Sequence, residues 1–559
     1  MSSRRIVGHR AFVTRARCCA EHGNGSKDPS SQRIVFIKGN AGKGAVYNYG
    51  QRKDRSTRNE GKRIAPVFSS RPPPEATTFS LPSSSFNASS YTSPGVTPPL
   101  AGHKYNERSG RQFVRKKTAL MMPGQGSQYV TMSRDLYDAF QSARDIWHQA
   151  DHCLDMFAHG KPPAHATPNP LRSQFEREML RGTELERLMY PRGIQLTNLV
   201  FHGDQLELTR SENAQPAVFA CTLAFLNVLR REFEFELFNE HVDWLAGHGS
   251  GTYASLVAAN ALDTEDAFRV LRLRGLEAMR CLREHPVLFP RGCTPPSIIY
   301  ETWAFANASK MGVLQRAKGA HEPQPPQHDT KAQKSVRQWK HTQVNAVSVR
   351  PGYLNEAMNE IVAVQSDIRR GEASGVAPDE FVGISNINSQ LQIVLSGTCT
   401  GVVYACNRLR AKGLGIRAVI LPVSGPHHTA LVGEAQESFG RVVDVMPIRE
   451  PDPDRPVVSS VDGTILRSVT DVRYDLGHAL STPVRWLDTI NTLVDNGVRR
   501  FVCLGPGRAL AHLLSKELAY RERFKTDNHS LDTDFEVWSI ATAQDVHMLV
   551  NSLRRLKKG

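Results

Sequence analysis

The stretch that most constrains this chain runs from Val242 to Leu262. An apolar run, Val242-Asp243-Trp244-Leu245-Ala246, enters Gly247-His248-Gly249-Ser250-Gly251 and continues as a helical pattern from Thr252. Strand, tight glycine turn and helix make up the elbow on which α/β enzymes present a nucleophile. The turn is sharp, its flanks must be small, and the start of the helix offers backbone N–H groups to an oxyanion. A G-x-S-x-G elbow opening at Gly247 places serine at 249, whereas this chain has Gly249 there and Ser250 beside it. Ser250 also stands where a serine commonly caps a starting helix. His248 reads as a pocket residue, because no partners at metal-ligand spacing accompany it.

The rest of the chain supplies the frame for such an elbow. Thr118 to Met122 is a short strand that breaks into Pro123-Gly124-Gln125-Gly126-Ser127-Gln128, a loop whose backbone a ligand can approach. Ala214 to Phe233 carries helical periodicity. Between Val344 and Val423 the pattern runs strand (Val344 to Val349), helix (Tyr353 to Ile368), two strands (Val382 to Asn386, Gln392 to Leu395), helix (Val402 to Lys412) and strand (Ile416 to Leu421). That βαββαβ order is a ferredoxin-like unit. Beyond Ser424, strand-like runs such as Phe501 to Leu504 alternate with helices such as Ala509 to Lys516.

The fold class is therefore α/β, with an α/β-hydrolase-like large domain in two parts, 117–343 and 424–559, and an inserted ferredoxin-like small domain, 344–423. Two polar stretches within the first part, about 156–190 and 285–342, read as insertions from their Pro, Arg and Glu content.

Charge separates the N-terminal segment from this body. Residues 1–117 hold 22 Lys and Arg against 6 Asp and Glu, leaving 48 against 49 for everything after Lys117, so the formal +15 is not spread over the folded surface. A nucleic-acid reading is thereby disfavoured. Arg4, Arg5, Arg10, Arg15 and Arg17 precede the first acid, Glu21, which is the pattern of a mitochondrial transit peptide and predicts a matrix address. We read 1–30 as that peptide and 31–116, with its Ser/Pro/Thr stretch from Ser80 to Pro99, as disordered linker. No apolar run is long enough to span a bilayer. The nine cysteines show no CxxC and no paired spacing, which predicts a reduced protein without disulfide framework or zinc site.

Several short motifs, in order, carry a resemblance: Pro123 to Gln128 (PGQGSQ), Asn213 to Pro216 (NAQP), the elbow, Arg272 to Gly275 (RLRG), Asn388-Ser389 with Gln392 to Gly397 (QIVLSG), Ser424 to His428 (SGPHH), Thr482 to Trp486 (TPVRW) and Gly505 to Gly507 (GPG). Together they resemble the malonyl-CoA:acyl-carrier-protein transacylases over about Lys117 to Leu556, minus the insertions, and in particular the fungal mitochondrial branch.

The resemblance implies a ping-pong transfer supporting mitochondrial fatty acid synthesis. An elbow serine takes malonyl from coenzyme A, a histidine serves as base and then acid, and the pantetheine thiol of an acyl carrier protein collects the group. No cofactor beyond these two substrates is implied. By motif position the base is His428, imidazole having the pKa for that work, and His427 is a wall of the pocket. Gln125 matches the residue whose backbone N–H forms half of the oxyanion hole, and Ser250 supplies the other half or, displaced from Gly249, the nucleophile.

Arg274 can be argued independently. It shares one helical stripe with Ala267, Val270, Leu271 and Ala278, so a guanidinium lies on an apolar face. A buried charge needs an anion. In the family the matching arginine forks onto the malonyl carboxylate; the alternatives are an internal pair with Glu277 or snorkelling to the surface. Two functions stay open: a malonyl transferase using Ser250 and His428, or a pseudoenzyme that binds acyl-CoA or carrier without turnover because Gly249 occupies the apex. A thioesterase using Ser250 leaves Arg274 and the Pro123 to Gln128 loop without a role.

Overall fold

The computed structural model describes residues 34–37, 46–49, 116–162, 170–190, 193–233, 241–284, 342–421, 423–524 and 534–558. Their strands in chain order are β1 (Ile34–Ile37), β2 (Val46–Tyr49), β3 (Lys117–Met122), β4 (Trp244–Gly247), β5 (Thr342–Val349), β6 (Val382–Ser389), β7 (Gln392–Thr398), β8 (Gly415–Ile420), β9 (Val457–Val458), β10 (Ile465–Leu466), β11 (Val498–Leu504) and β12 (Glu536–Ile540).

The larger unit is built on the sheet β10-β9-β4-β3-β11-β12, parallel at every pairing except β9 with β10. A parallel sheet must be covered on both faces, and β3 shows it: Ala119, Leu120, Met121 and Met122 have no exposure. Trp147, Phe225 and Phe268, from helices Gln141–Ala158, Ser211–Arg231 and Thr264–Glu284, fill one side. Trp486, Ile490 and Leu514, from helices Trp486–Asp495 and Ala509–Arg523, fill the other.

The smaller unit is an antiparallel sheet in which β8-β5-β7-β6 has the expected ferredoxin-like order. Helices Leu354–Arg370 and Cys399–Ala411 pack on it through Ile361, Val364 and Leu409. The strands β1 and β2 extend this sheet beyond β8. The stretch expected as linker thus contributes two short strands, while the rest of 31–115, the proposed transit peptide, and 285–341 lie outside the described residues.

The 156–190 stretch read as an insertion is packed against the core: its helix Pro170–Met189 buries Phe175 and Met179, with Thr183 and Glu186 beside them. Those positions form one face of a helix, masked in the sequence by Arg and Glu on the remaining faces. The elbow helix is also shorter than its pattern suggested: Thr252–Ala258 ends where Asn260 turns left-handed at φ 58°. No helix among the described residues is long and apolar enough to cross a membrane.

Candidate active site

Two helix motifs create the site's rear wall by correcting each other's defects. Pro216 lies inside helix Ser211–Arg231 and has no N–H for the carbonyl of Glu212. Arg272 Nη1 donates to that carbonyl at 2.8 Å and also to Asn213 Oδ1, while its Nε and Nη2 fork onto Glu186, each at 2.7 Å. The helices approach so closely there that a Cβ on Gly275 would stand 2.3 Å from Glu212 Cα. Arg272 is thereby a structural residue, and its neighbour Arg274 is carried into the interior beside Gln215.

Arg274 is 3 % exposed and donates from Nη1 to Gln215 Oε1 at 2.8 Å. Its Nε and Nη2 have no hydrogen-bond partner. The alternative pairing with Glu277 does not occur, since that carboxylate accepts from Arg280. Burial alone lowers the Arg274 pKa, Tyr253 and Asp475 partly opposing it. Two donors of a guanidinium held this way are open to a planar anion.

The elbow forms as the glycine spacing predicts. Strand β4 ends at Gly247, a single turn covers Gly249–Gly251, and helix Thr252–Ala258 follows. Gly249 has φ 56°, a conformation that favours glycine. A Cβ built there would lie 3.4 Å from His428 Nε2 and 3.9 Å from Val484 Cγ2. Residue 249 is thus the apex that faces the base, and it carries no hydroxyl.

Ser250 points elsewhere. Its Oγ accepts the backbone N–H of Gln125 at 3.1 Å, so the hydroxyl expected as nucleophile sits on the group expected as oxyanion donor. It makes no hydrogen bond to His428 in this conformation. Nor does it cap its helix, which shows no side-chain cap.

His428 adopts a positive φ of 61° and is anchored by its N–H to the carbonyl of Leu480 at 2.8 Å. Burial, then the charges of Arg274, His427 and His248, hold it well below the usual imidazole value, against a small opposing effect of the Ala479 backbone. Its ring is therefore neutral at physiological pH. His248, also lowered by burial, bonds Asn388 Oδ1 at 3.0 Å and sits edge-on to Trp486.

These groups border one cavity of about 140 Å³, walled by the elbow and the Gln125 loop on one side and by Val344, Ser385, Asn388 and Val394 of the smaller unit on the other. The units are joined across it by Val484, whose backbone bonds Ser385 and Ile387. Arg274, Gln125, Ser250, Gly249 and His428 are therefore brought together as the sequence suggested. Reading motifs one at a time missed the roles of Gln215, Ser211 and Ser424. Each lies in or beside a quoted motif, but their link to Gln125 and His427 exists only in three dimensions.

No protein-family model matches the chain. Among curated proteins it is 27 % identical over 401 residues to malonyl CoA-acyl carrier protein transacylase of Bacillus subtilis strain 168, covering 72 % of this chain and 90 % of that protein. It is 24 % identical over 432 residues to the protein of that name from Staphylococcus aureus strain MRSA252, covering 77 % and 97 %. Over most of its length the chain is thus similar to malonyl CoA-acyl carrier protein transacylases. Solved structures share the fold: FabD from Acinetobacter baumannii superposes with a TM-score of 0.52 at 20 % identity, covering 79 % of this chain and 99 % of that one. A malonyl-transacylase solved with a type II polyketide synthase acyl-carrier protein gives 0.52 at 21 %, covering 78 % and 99 %.

Proposed function

We propose that the protein transfers a malonyl group from coenzyme A to the pantetheine thiol of an acyl carrier protein, in fatty acid synthesis in the mitochondrial matrix. The observation that carries the chemistry is Arg274, whose buried Nε and Nη2 are unpartnered and which borders the same cavity as the neutral base His428. A thioester with a free carboxylate at its far end satisfies the guanidinium and leaves its carbonyl toward the elbow.

On this reading Ser250 is the nucleophile. Rotation of its hydroxyl away from Gln125 toward His428 would do two things at once: present the proton to the base, and release the Gln125 N–H for the oxyanion. His428 then protonates the departing coenzyme A thiolate, deprotonates the carrier's thiol for the second transfer, and returns the proton to Ser250. A second reading, binding of the malonyl thioester without turnover, is favoured by Gly249, whose missing side chain is the one that faces His428 Nε2.

Incubation with radiolabelled malonyl-CoA separates the two. The transferase reading expects a protein-bound ester on Ser250, abolished by Ser250→Ala. No ester on the natural protein, together with an ester created by Gly249→Ser, would establish the binding reading. The matrix address rests on the arginine-rich, acid-free start of the chain.

A further inference from the structure

The buried hydrogen bonds behind the cavity have a direction, and one donor sets it. A guanidinium can only donate. Arg274 Nη1 donates to Gln215 Oε1, which turns Gln215 Nε2 toward Gln125 Oε1 at 3.1 Å. The Gln125 amide is oriented in turn, its Nε2 donating to Ser211 Oγ at 3.0 Å and to Ser424 Oγ at 3.1 Å. Two hydroxyl protons and three oxygen or nitrogen positions remain: Ser211 Oγ lies 2.6 Å from Ser424 Oγ and 2.7 Å from His427 Nε2.

Only one assignment satisfies every buried hydroxyl. Ser424 donates to Ser211, and Ser211 donates to His427 Nε2. If His427 Nε2 were the donor instead, one of the two serine protons would be left without an acceptor, a cost buried polar groups rarely bear. His427 Nε2 is therefore an acceptor, and in a neutral ring the proton is on Nδ1. That atom has no partner, on a side chain 9 % exposed that borders the cavity and lies near enough to Arg274 to feel its charge.

We infer that His427 Nδ1–H and the free Nε–H and Nη2–H of Arg274 form one three-donor receptor for the terminal carboxylate of the acyl group, making His427 a specificity-determining residue. A carboxylate offers enough lone pairs for all three, and an acyl group ending in methyl offers none. The same relay ties the receptor's tautomer to the loop that carries the Gln125 N–H.

This rests on the proposed malonyl thioester reading, so the experiment runs both in parallel. Binding of malonyl-CoA and acetyl-CoA is measured on the full chain for the natural protein, His427→Phe, His427→Asn and Arg274→Ala. The phenylalanine variant should lose about tenfold of the preference for malonyl-CoA, the scale of one hydrogen bond to a charged group. The asparagine variant, whose amide can put an N–H near the Nδ1 position, should keep most of it. Preference lost in Arg274→Ala but intact in His427→Phe overturns this inference alone, and preference intact in both overturns the parent reading. Nitrogen-15 chemical shifts of the unmutated protein give an answer that does not depend on any variant folding: protonated Nδ1 on His427 is expected, and protonated Nε2 would refute the receptor.

Discussion

Gly249 and Ser250 show how much one position along a turn matters. Adjacent residues at a helix start point about 100° apart, and here that difference sends one Cβ vector to His428 and the other hydroxyl to Gln125. The histidines around this turn are also expected to set the acid stability of the protein. Burial lowers His428 and His248 from their ordinary value and His427 to about 3, and His547 is lowered as well. Between these folded values and the unfolded value near 6.5, the unfolded chain binds more protons, so stability falls as pH falls through that window. Asp475, raised to about 6 by burial, and Asp135, Asp266, Glu517 and Asp545, also raised by burial, work the other way, but their unfolded values near 4 lie below the interval in which a free imidazole titrates. Thermal melts should therefore show a lower Tm at pH 6 than at pH 7.5, with net proton uptake on unfolding by calorimetry. A Tm that does not move over that interval would contradict neutral, buried imidazoles.

At the scale of elements, the crossing of helices Ser211–Arg231 and Thr264–Glu284 determines whether the receptor exists. Alanine favours a helix over glycine by about 1 kcal/mol, so Gly275→Ala would stabilise an isolated helix. In the protein the new Cβ meets the backbone of Glu212, at 2.3 Å from Cα and 2.4 Å from N, and backbone cannot turn aside. The clash outweighs propensity, and a net loss of about 1–3 kcal/mol is expected from overpacking. Because the helices must separate, the Gln215–Arg274 contact opens too. Urea titration should show a lower midpoint for Gly275→Ala, accompanied by weaker malonyl-CoA binding; a raised midpoint would mean that the crossing is looser than drawn. Helix Pro170–Met189 belongs to the same assembly, since Glu186 forks onto Arg272 and Glu176 onto Arg269.

For the whole molecule, charge and topology divide the labour. The excess of basic residues lies in 1–117, a segment that also supplies β1, β2 and the first residue of β3, while the body that lines the cavity is nearly neutral. On the proposed matrix address, the arginine-rich start of the chain is a leader removed after import. Protein isolated from cells should come from the mitochondrial matrix and begin after residue 17 and before Thr118, as read by N-terminal sequencing. An intact Met1 on a cytosolic protein would end that proposal.

The sequence by itself determined the strand after which the elbow forms, the βαββαβ order of the inserted unit, the vacancy of a hydroxyl at 249 and the presence of Arg274 on an apolar stripe. Each of these is local: a period of two or 3.6 residues, or a glycine spacing within one turn, is written in neighbouring positions. Helix Pro170–Met189 escaped because its buried face is sparse among charged residues, and the charges that match it are some 90 positions away. Only the tertiary structure decided where the Ser250 hydroxyl points, that Glu277 leaves Arg274 free, and which nitrogen of His427 carries the proton. Those outcomes depend on partners from five separate segments meeting in one low-dielectric cavity, where an unsatisfied hydrogen bond is costly enough to select one arrangement among those the sequence allows.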